Sequence, residues 1–286
     1  MSRENVDSRR AAGLRWQSQA VLLVFVPVLA TWVLLTAVQA WGGARGLVLQ
    51  ALGISAGFAA LVFALRAATL GAALTGGLFT AVLYLATPGW YTALWPLLAL
   101  FLLTWGATRF GRKRKEALGT AEGKRGRTAS QVAANLGIAA MATVPVLWRG
   151  TEIGQLGPVT LIAMLAAMAE ATADTVSSEL GQVLGGEPVM ITSFRRVAAG
   201  TDGAVSFAGT LTGCAAAAVV VAVGMLALPV SRVNAGIALA AAIAGLLVDS
   251  LLGAGPEQRG WLNNDAVNAL STLAAAVLAL LMMKWV

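Results

Sequence analysis

Histidine is absent from this 286-residue chain, and cysteine occurs once, as Cys214. The first absence removes histidine general bases, phosphohistidine intermediates and every histidine-bearing metal site. The second excludes disulfides and multi-cysteine zinc sites. Cys214 sits in an apolar run after Gly213 and reads as a packing residue rather than a nucleophile. Any metal must therefore be held by oxygen, which restricts the ion to Mg2+, Mn2+ or Ca2+. Charge is scarce as well, at 12% of residues against about 25% in soluble domains. No Walker A sequence is present, since none of the glycine-rich stretches ends in Lys-Ser or Lys-Thr.

What fills the chain instead is hydrocarbon: 58% of residues are hydrophobic and mean hydropathy is +0.78. Apolar runs of about 20 residues recur along the whole length, which predicts an all-α polytopic transmembrane bundle forming one integral membrane domain. The expected spans lie near 20–41, 46–66, 68–87, 90–108, 129–148, 159–180, 204–228, 233–254 and 265–285, about nine in all. A short tail (1–16) and one strongly hydrophilic loop (109–127) interrupt them. Val38-Gln39-Ala40 resembles a signal-peptidase site, but the apolar run before it is too long for a signal peptide, so the segment reads as a membrane helix. With that short tail and no transit peptide, a prokaryotic plasma membrane is expected.

Net charge is +7. In a membrane protein the first explanation is basic cytoplasmic loops rather than a nucleic-acid partner. With the amino terminus inside, only Arg45, Arg149, Arg232 and Lys284 of the 20 Lys and Arg fall outside. The same orientation puts Trp41, Trp90, Trp148 and Trp285 at outer ends, where interfacial tryptophans belong. It also gathers the unusual polar residues on the inner side. Gln131 and Asn135 open the fifth span there, Asp174, Ser178 and Glu179 close the sixth, Ser206 and Thr210 open the seventh, and Asp249 closes the eighth. Asn263, Asn264, Asp265 and Asn268 open the ninth. Ionisable groups are expensive in a bilayer and usually mark a site.

Glu170, Asp174 and Ser178 share one helical face. Two carboxylates without a cation on the same helix repel unless a metal or an arginine intervenes. Mg2+ bound to phosphate needs one or two carboxylates plus waters and substrate oxygens, which makes Asp174 the first metal ligand to consider. Asp249, Asp265 and Glu170 are further candidates. Glu170 lies roughly 15 Å from the helix end, so it either reaches a cavity or forms a structural ion pair. Asn or Asp at 263–265 caps the last helix, but capping does not require Asn268. The loop 181–203 combines Gly185-Gly186 with Arg195-Arg196 and Thr201-Asp202-Gly203, a combination suited to gripping phosphate. Lys124 and Arg127, just before the fifth span, are further phosphate candidates, while half of the basic loop anchors to the inner leaflet. Repeated glycines at 71–77 and 209–213 hint at duplication, or simply permit close helix packing.

The segments GTAEGKRGRTASQVAANLG, ADTVSSELG, PVMITSFRRVAAGTDGAVSFAGTLTG, DSLLGA and RGWLNNDAVNALST together resemble the phytyl-phosphate kinase family, which includes the transmembrane protein 19 group. The resemblance runs from Gly119 to Thr272. It implies phosphoryl transfer from CTP or another nucleoside triphosphate to a prenyl monophosphate, with Mg2+ (or Mn2+) bound. Under that expectation Asp174, Asp265 and Asn268 are catalytic. Lys124, Arg127, Gln131, Asn135, Ser178, Arg196, Thr201, Asp202 and Asn264 bind substrate and phosphate, and Asp174, Asp249, Asp265 and Glu170 hold metal. The chemistry is mostly positioning and charge neutralisation, attainable without histidine or cysteine. An ion-coupled transporter or flippase is the rival class, favoured by Glu170. Nucleotidyl transfer yielding a CDP-lipid is the enzymatic alternative.

Overall fold

The computed structural model describes residues 13–121, 123, 126–147 and 157–285. Ten α-helices are present: α1 (Arg15–Ala40), α2 (Arg45–Ala64), α3 (Leu70–Ala86), α4 (Leu94–Arg109), α5 (Arg112–Leu118), α6 (Ala129–Ala142), α7 (Gly157–Leu184), α8 (Phe207–Ala227), α9 (Arg232–Leu252) and α10 (Asn264–Met282). A two-residue antiparallel hairpin, β1 (Val189–Met190) with β2 (Ala204–Val205), joins α7 to α8. A π-helical turn, Gly253–Glu257, extends α9. The helices start where short polar side chains can accept from orphan amides. Thr69 caps α3, Ser206 caps α8, Ser231 caps α9 and Asn263 caps α10. Thr128 and Gln131 form a reciprocal capping box on α6.

α7 is the axis of the molecule. Its run from Leu161 to Ala173 is buried, and it packs against α4, α6, α8, α9 and α10. A helix that is apolar all round belongs in a core, and α7 buries Glu170 and Thr172 within that run. Close approach of α8 depends on glycine: a Cβ at Gly213 would lie 2.6 Å from the Ala173 carbonyl oxygen, and one at Gly209 2.7 Å from that of Ser177. In the other suspected repeat Gly77 also serves packing, less tightly: a Cβ there would lie 3.2 Å from the Ser55 carbonyl oxygen and 3.3 Å from Ala59 of α2. α1 and α2 expose long apolar faces, as lipid-facing helices do.

Each of the nine expected spans contains a helix, but the helices differ in reach. Six are long and apolar enough to cross a membrane: α1, α2, α7, α8, α9 and α10. The α4–α5 pair, bent by 62°, makes a seventh if taken as one span. α3 and α6 have 17 and 14 residues, about 26 and 21 Å of helix, short of a hydrocarbon core of about 30 Å. The described residues thus support six crossings, or up to seven, in place of nine.

Candidate functional site

Polar residues converge at one end of the bundle, where α4, α7 and α9 finish and α3, α6, α8 and α10 begin. The turn before α6 shows how the sequence builds this end. Gly126 adopts φ +73° and presses so closely on Ala67 that a Cβ would meet its carbonyl carbon at 2.4 Å. That contact lets Arg127 N donate to the Ala67 carbonyl and Thr69 N to the Arg127 carbonyl, both at 3.0 Å. The Arg127 side chain is thereby delivered to α7, where its Nη2 donates to Thr175 Oγ1 at 3.2 Å, within electrostatic reach of Asp174.

Arg127 lines one of two cavities at this end, and Asp174 lines the other. The smaller, about 250 Å³, is acidic. Asp174, Ser177 and Ser178 of α7, Ser206 and Thr210 around the start of α8, and Asp249 and Ser250 of α9 line it. Glu257 of the π turn, Thr201 and Asp202 of the hairpin, and Asn264 complete the wall. Asp174 and Asp249 lie close enough to interact electrostatically. Glu170, 0% exposed, lies deeper. Ser271 runs alongside both Glu170 and Asp249, yet its hydroxyl donates to the Asn268 carbonyl at 3.1 Å. Both Glu170 oxygens and Asp249 Oδ2 are left without a hydrogen-bond partner. Burial raises the pKa of Asp202 above its ordinary value.

The larger cavity, about 660 Å³, lies between α2, α3, α4 and α6. Its depth is lined by Phe58, Val62, Ala72, Gly76, Leu97, Leu100, Phe101 and Leu136, and its mouth by Arg66, Arg109, Arg112 and Arg127. Arg109 stacks over the Trp105 ring at 4.4 Å and donates to the Leu65 carbonyl at 2.7 Å. Arg112 is paired with Glu116 at 2.9 Å. An apolar interior under a guanidinium-rich rim suits an amphiphile with an anionic head.

Comparison with known proteins places the chain. Residues 53–276 match a family described as "Integral membrane protein DUF92", a range that includes the walls of both cavities. The chain belongs to this family. Among its relatives, an uncharacterised membrane protein of Methanocaldococcus jannaschii is 41% identical over 42% of this chain and 50% of that protein. The chloroplast protein VTE6 of Arabidopsis thaliana is 28% identical over 66% of this chain and 57% of its own length. An uncharacterised membrane protein of Synechocystis is 30% identical over 70% of this chain and 76% of that protein. The matches thus span about half to three fifths of the first two relatives. No solved structure matches. The family likeness drawn from the sequence segments is borne out and reaches further toward the amino terminus than Gly119.

Within this DUF92 protein the expected site residues separate into groups. Asp174, Ser178, Thr201, Asp202, Asp249 and Asn264 meet in the acidic pocket, while Arg127 and Asn135 line the larger cavity. Glu170 neither lines a cavity nor forms an ion pair among the described residues. Asp265 and Asn268 are buried in the first turns of α10 but line neither cavity, which separates Asp265 from Asp174 and Asp249. Gln131 accepts from Thr128 N at 2.7 Å as part of the capping box, so its side chain is engaged in holding the helix start. Arg196 forms an exposed pair with Glu187 at 2.6 Å, outside both cavities. Lys124 lies outside the described residues. Sequence reasoning missed Glu257, brought to the pocket by the π turn around Pro256, and the rim formed by Arg66, Arg109 and Arg112.

Proposed function

We propose that the protein is a membrane phosphotransferase that moves a phosphoryl group from a nucleoside triphosphate, CTP foremost, to a prenyl monophosphate. One observation carries the reading: Arg127 lines an apolar cavity with an arginine rim and lies within electrostatic reach of Asp174, which lines a second pocket of carboxylates and hydroxyls. The prenyl chain occupies the larger cavity with its phosphate at the rim, and the nucleotide phosphates occupy the acidic pocket.

Phosphates enter a pocket of carboxylates only with a cation between them. No three Asp, Glu or Cys side chains among the described residues could cage a metal unaided. Mg2+ does not require that, because it keeps waters and phosphate oxygens and takes one or two carboxylates. Asp174 with Asp249, whose Oδ2 has no hydrogen-bond partner, fits this demand. When bound there, the divalent cation would neutralise phosphate charge. The chain's own residues do the rest. Arg127 aligns the prenyl phosphate, and Ser177, Ser178 and Thr210 donate to nucleotide oxygens. A prenyl-phosphate oxygen, already ionised, forms a bond to the γ-phosphorus as the bond from that phosphorus to the β,γ-bridging oxygen breaks. The nucleoside diphosphate leaves, and no general base is needed.

The test is conversion of phytyl phosphate by detergent-purified protein with each of four nucleoside triphosphates and Mg2+, resolving the products. Prenyl diphosphate with nucleoside diphosphate is the expected outcome. Pyrophosphate with a CDP-lipid would instead assign nucleotidyl transfer. Glu170, sealed in α7 without a partner, favours a second reading as an ion-coupled transporter. Movement of substrate across vesicles with no chemical change would establish that reading over the kinase.

A further inference from the structure

Resting on the assignment of the larger cavity to the prenyl chain, we propose that Gly76 sets the chain length the protein accepts. The cavity has a mouth and a floor that can be ordered along the helices. On α4 the lining runs from Arg109 at the rim inward to Leu97, twelve residues or about 18 Å of helix. On the facing side it runs from Ala68 through Ala72 to Gly76, about 12 Å. An extended chain advances roughly 1.25 Å per carbon–carbon bond of about 1.5 Å, so a four-bond isoprenoid repeat advances about 5 Å. The two walls accordingly correspond to about two to four repeats, with the last one beside Gly76, Phe58 and Leu97.

Gly76 differs from its neighbour in the way this role requires. A Cβ at Gly77 would press on the Ser55 carbonyl oxygen at 3.2 Å and on Ala59 at 3.3 Å, so that glycine holds α3 against α2. A Cβ at Gly76 would meet only Phe58 Cε1, at 3.7 Å, an ordinary contact. The backbone there has room for a side chain, and that side chain would enter the cavity near its floor. Ala72 is one turn nearer the rim on the same face. A larger residue at 76 shortens the space from the end, and one at 72 shortens it further.

Full-length protein in nanodiscs, equilibrated with radiolabelled geranyl phosphate (two repeats) or geranylgeranyl phosphate (four), measures this directly, with turnover followed in parallel. Wild type binds the four-repeat lipid. Gly76→Leu weakens that lipid by about tenfold or more while binding of the two-repeat lipid stays within about twofold. Ala72→Leu extends the loss toward shorter chains, and carries the comparison if Gly76→Leu does not fold. Equal loss of both lengths, unchanged binding of both, or no prenyl-phosphate binding by wild type would each overturn the inference. Length-dependent binding without any turnover would leave it standing and would remove the kinase reading alone.

Discussion

Asp249 keeps one carboxylate oxygen, Oδ2, with no donor to meet it, and does so within reach of a second carboxylate. Such an arrangement costs stability unless something neutralises it, which is the physical reason for placing a divalent cation there. Asp174→Asn and Asp249→Asn should each lower Mg2+-dependent turnover by roughly 10²-fold, while membrane expression and melting temperature hold. Activity retained in Asp174→Asn would remove that residue from the site. Asp202 offers a separate handle. Its burial raises the folded-state pKa, so between the unfolded and folded values the native protein binds more protons than the unfolded chain. Stability contributed by this group therefore falls as pH rises through that window. In chelator, Asp202→Asn should flatten the decline in melting temperature from acidic to neutral pH; an unchanged profile would show that Asp202 does not report its burial. Asp174, Asp249 and Asp202 were legible in the sequence because carboxylates stand out against hydrocarbon. Glu257 was not, because a residue after Gly-Pro reads as loop until the π turn is seen to fold it inward.

At the scale of elements, α5 is fixed by a residue that composition alone would leave in water. Lys115 is 1% exposed. Its Nζ donates to the Ala107 carbonyl at 3.0 Å, to the Thr108 carbonyl at 2.6 Å, and to Glu179 on α7. One ammonium thus closes the end of α4, holds the 62° bend into α5, and ties both to the axis helix. Lys115→Met should destabilise the protein by up to about 3–5 kcal/mol, less in proportion to the 16% exposure that Glu179 retains. Melting in detergent checks this, and Lys115→Met with Glu179→Gln should recover much of the loss, because the stranded charge is then gone. The apolar runs, with capping at 263–265, made the approximate helix starts readable from local chemistry, and the structure adds the caps at Thr69, Ser206 and Ser231. The bend, the hairpin and the inward turn of Lys115 depend on partners more than 60 residues away, or on loops without periodicity, and no local pattern announces them.

For the whole molecule, the arrangement of charge and the arrangement of the site make one joint prediction. Arg66, Arg109, Arg112 and Arg127 rim the end that holds both cavities, whereas Arg45, Arg232 and Lys284 mark the opposite end. On the positive-inside rule the first end is expected to face the cytoplasm, where nucleoside triphosphates are. Membership of the bundle class was readable from composition; the crossing number was not, since α3 and α6 are apolar enough to resemble spans yet too short, and only packed coordinates reveal their length. Because Cys214 is the sole cysteine, orientation can be read by labelling. On a Cys214→Ala background, Arg232→Cys should react with a membrane-impermeant maleimide in intact cells, and Lys113→Cys only after permeabilisation; both native side chains are exposed. The reverse pattern would place the carboxylate pocket and the arginine rim outside, away from any nucleotide supply. Phosphoryl transfer would then lose its donor whatever the geometry of the pocket, and the buried, unpartnered Glu170 would become the better guide to what the protein does.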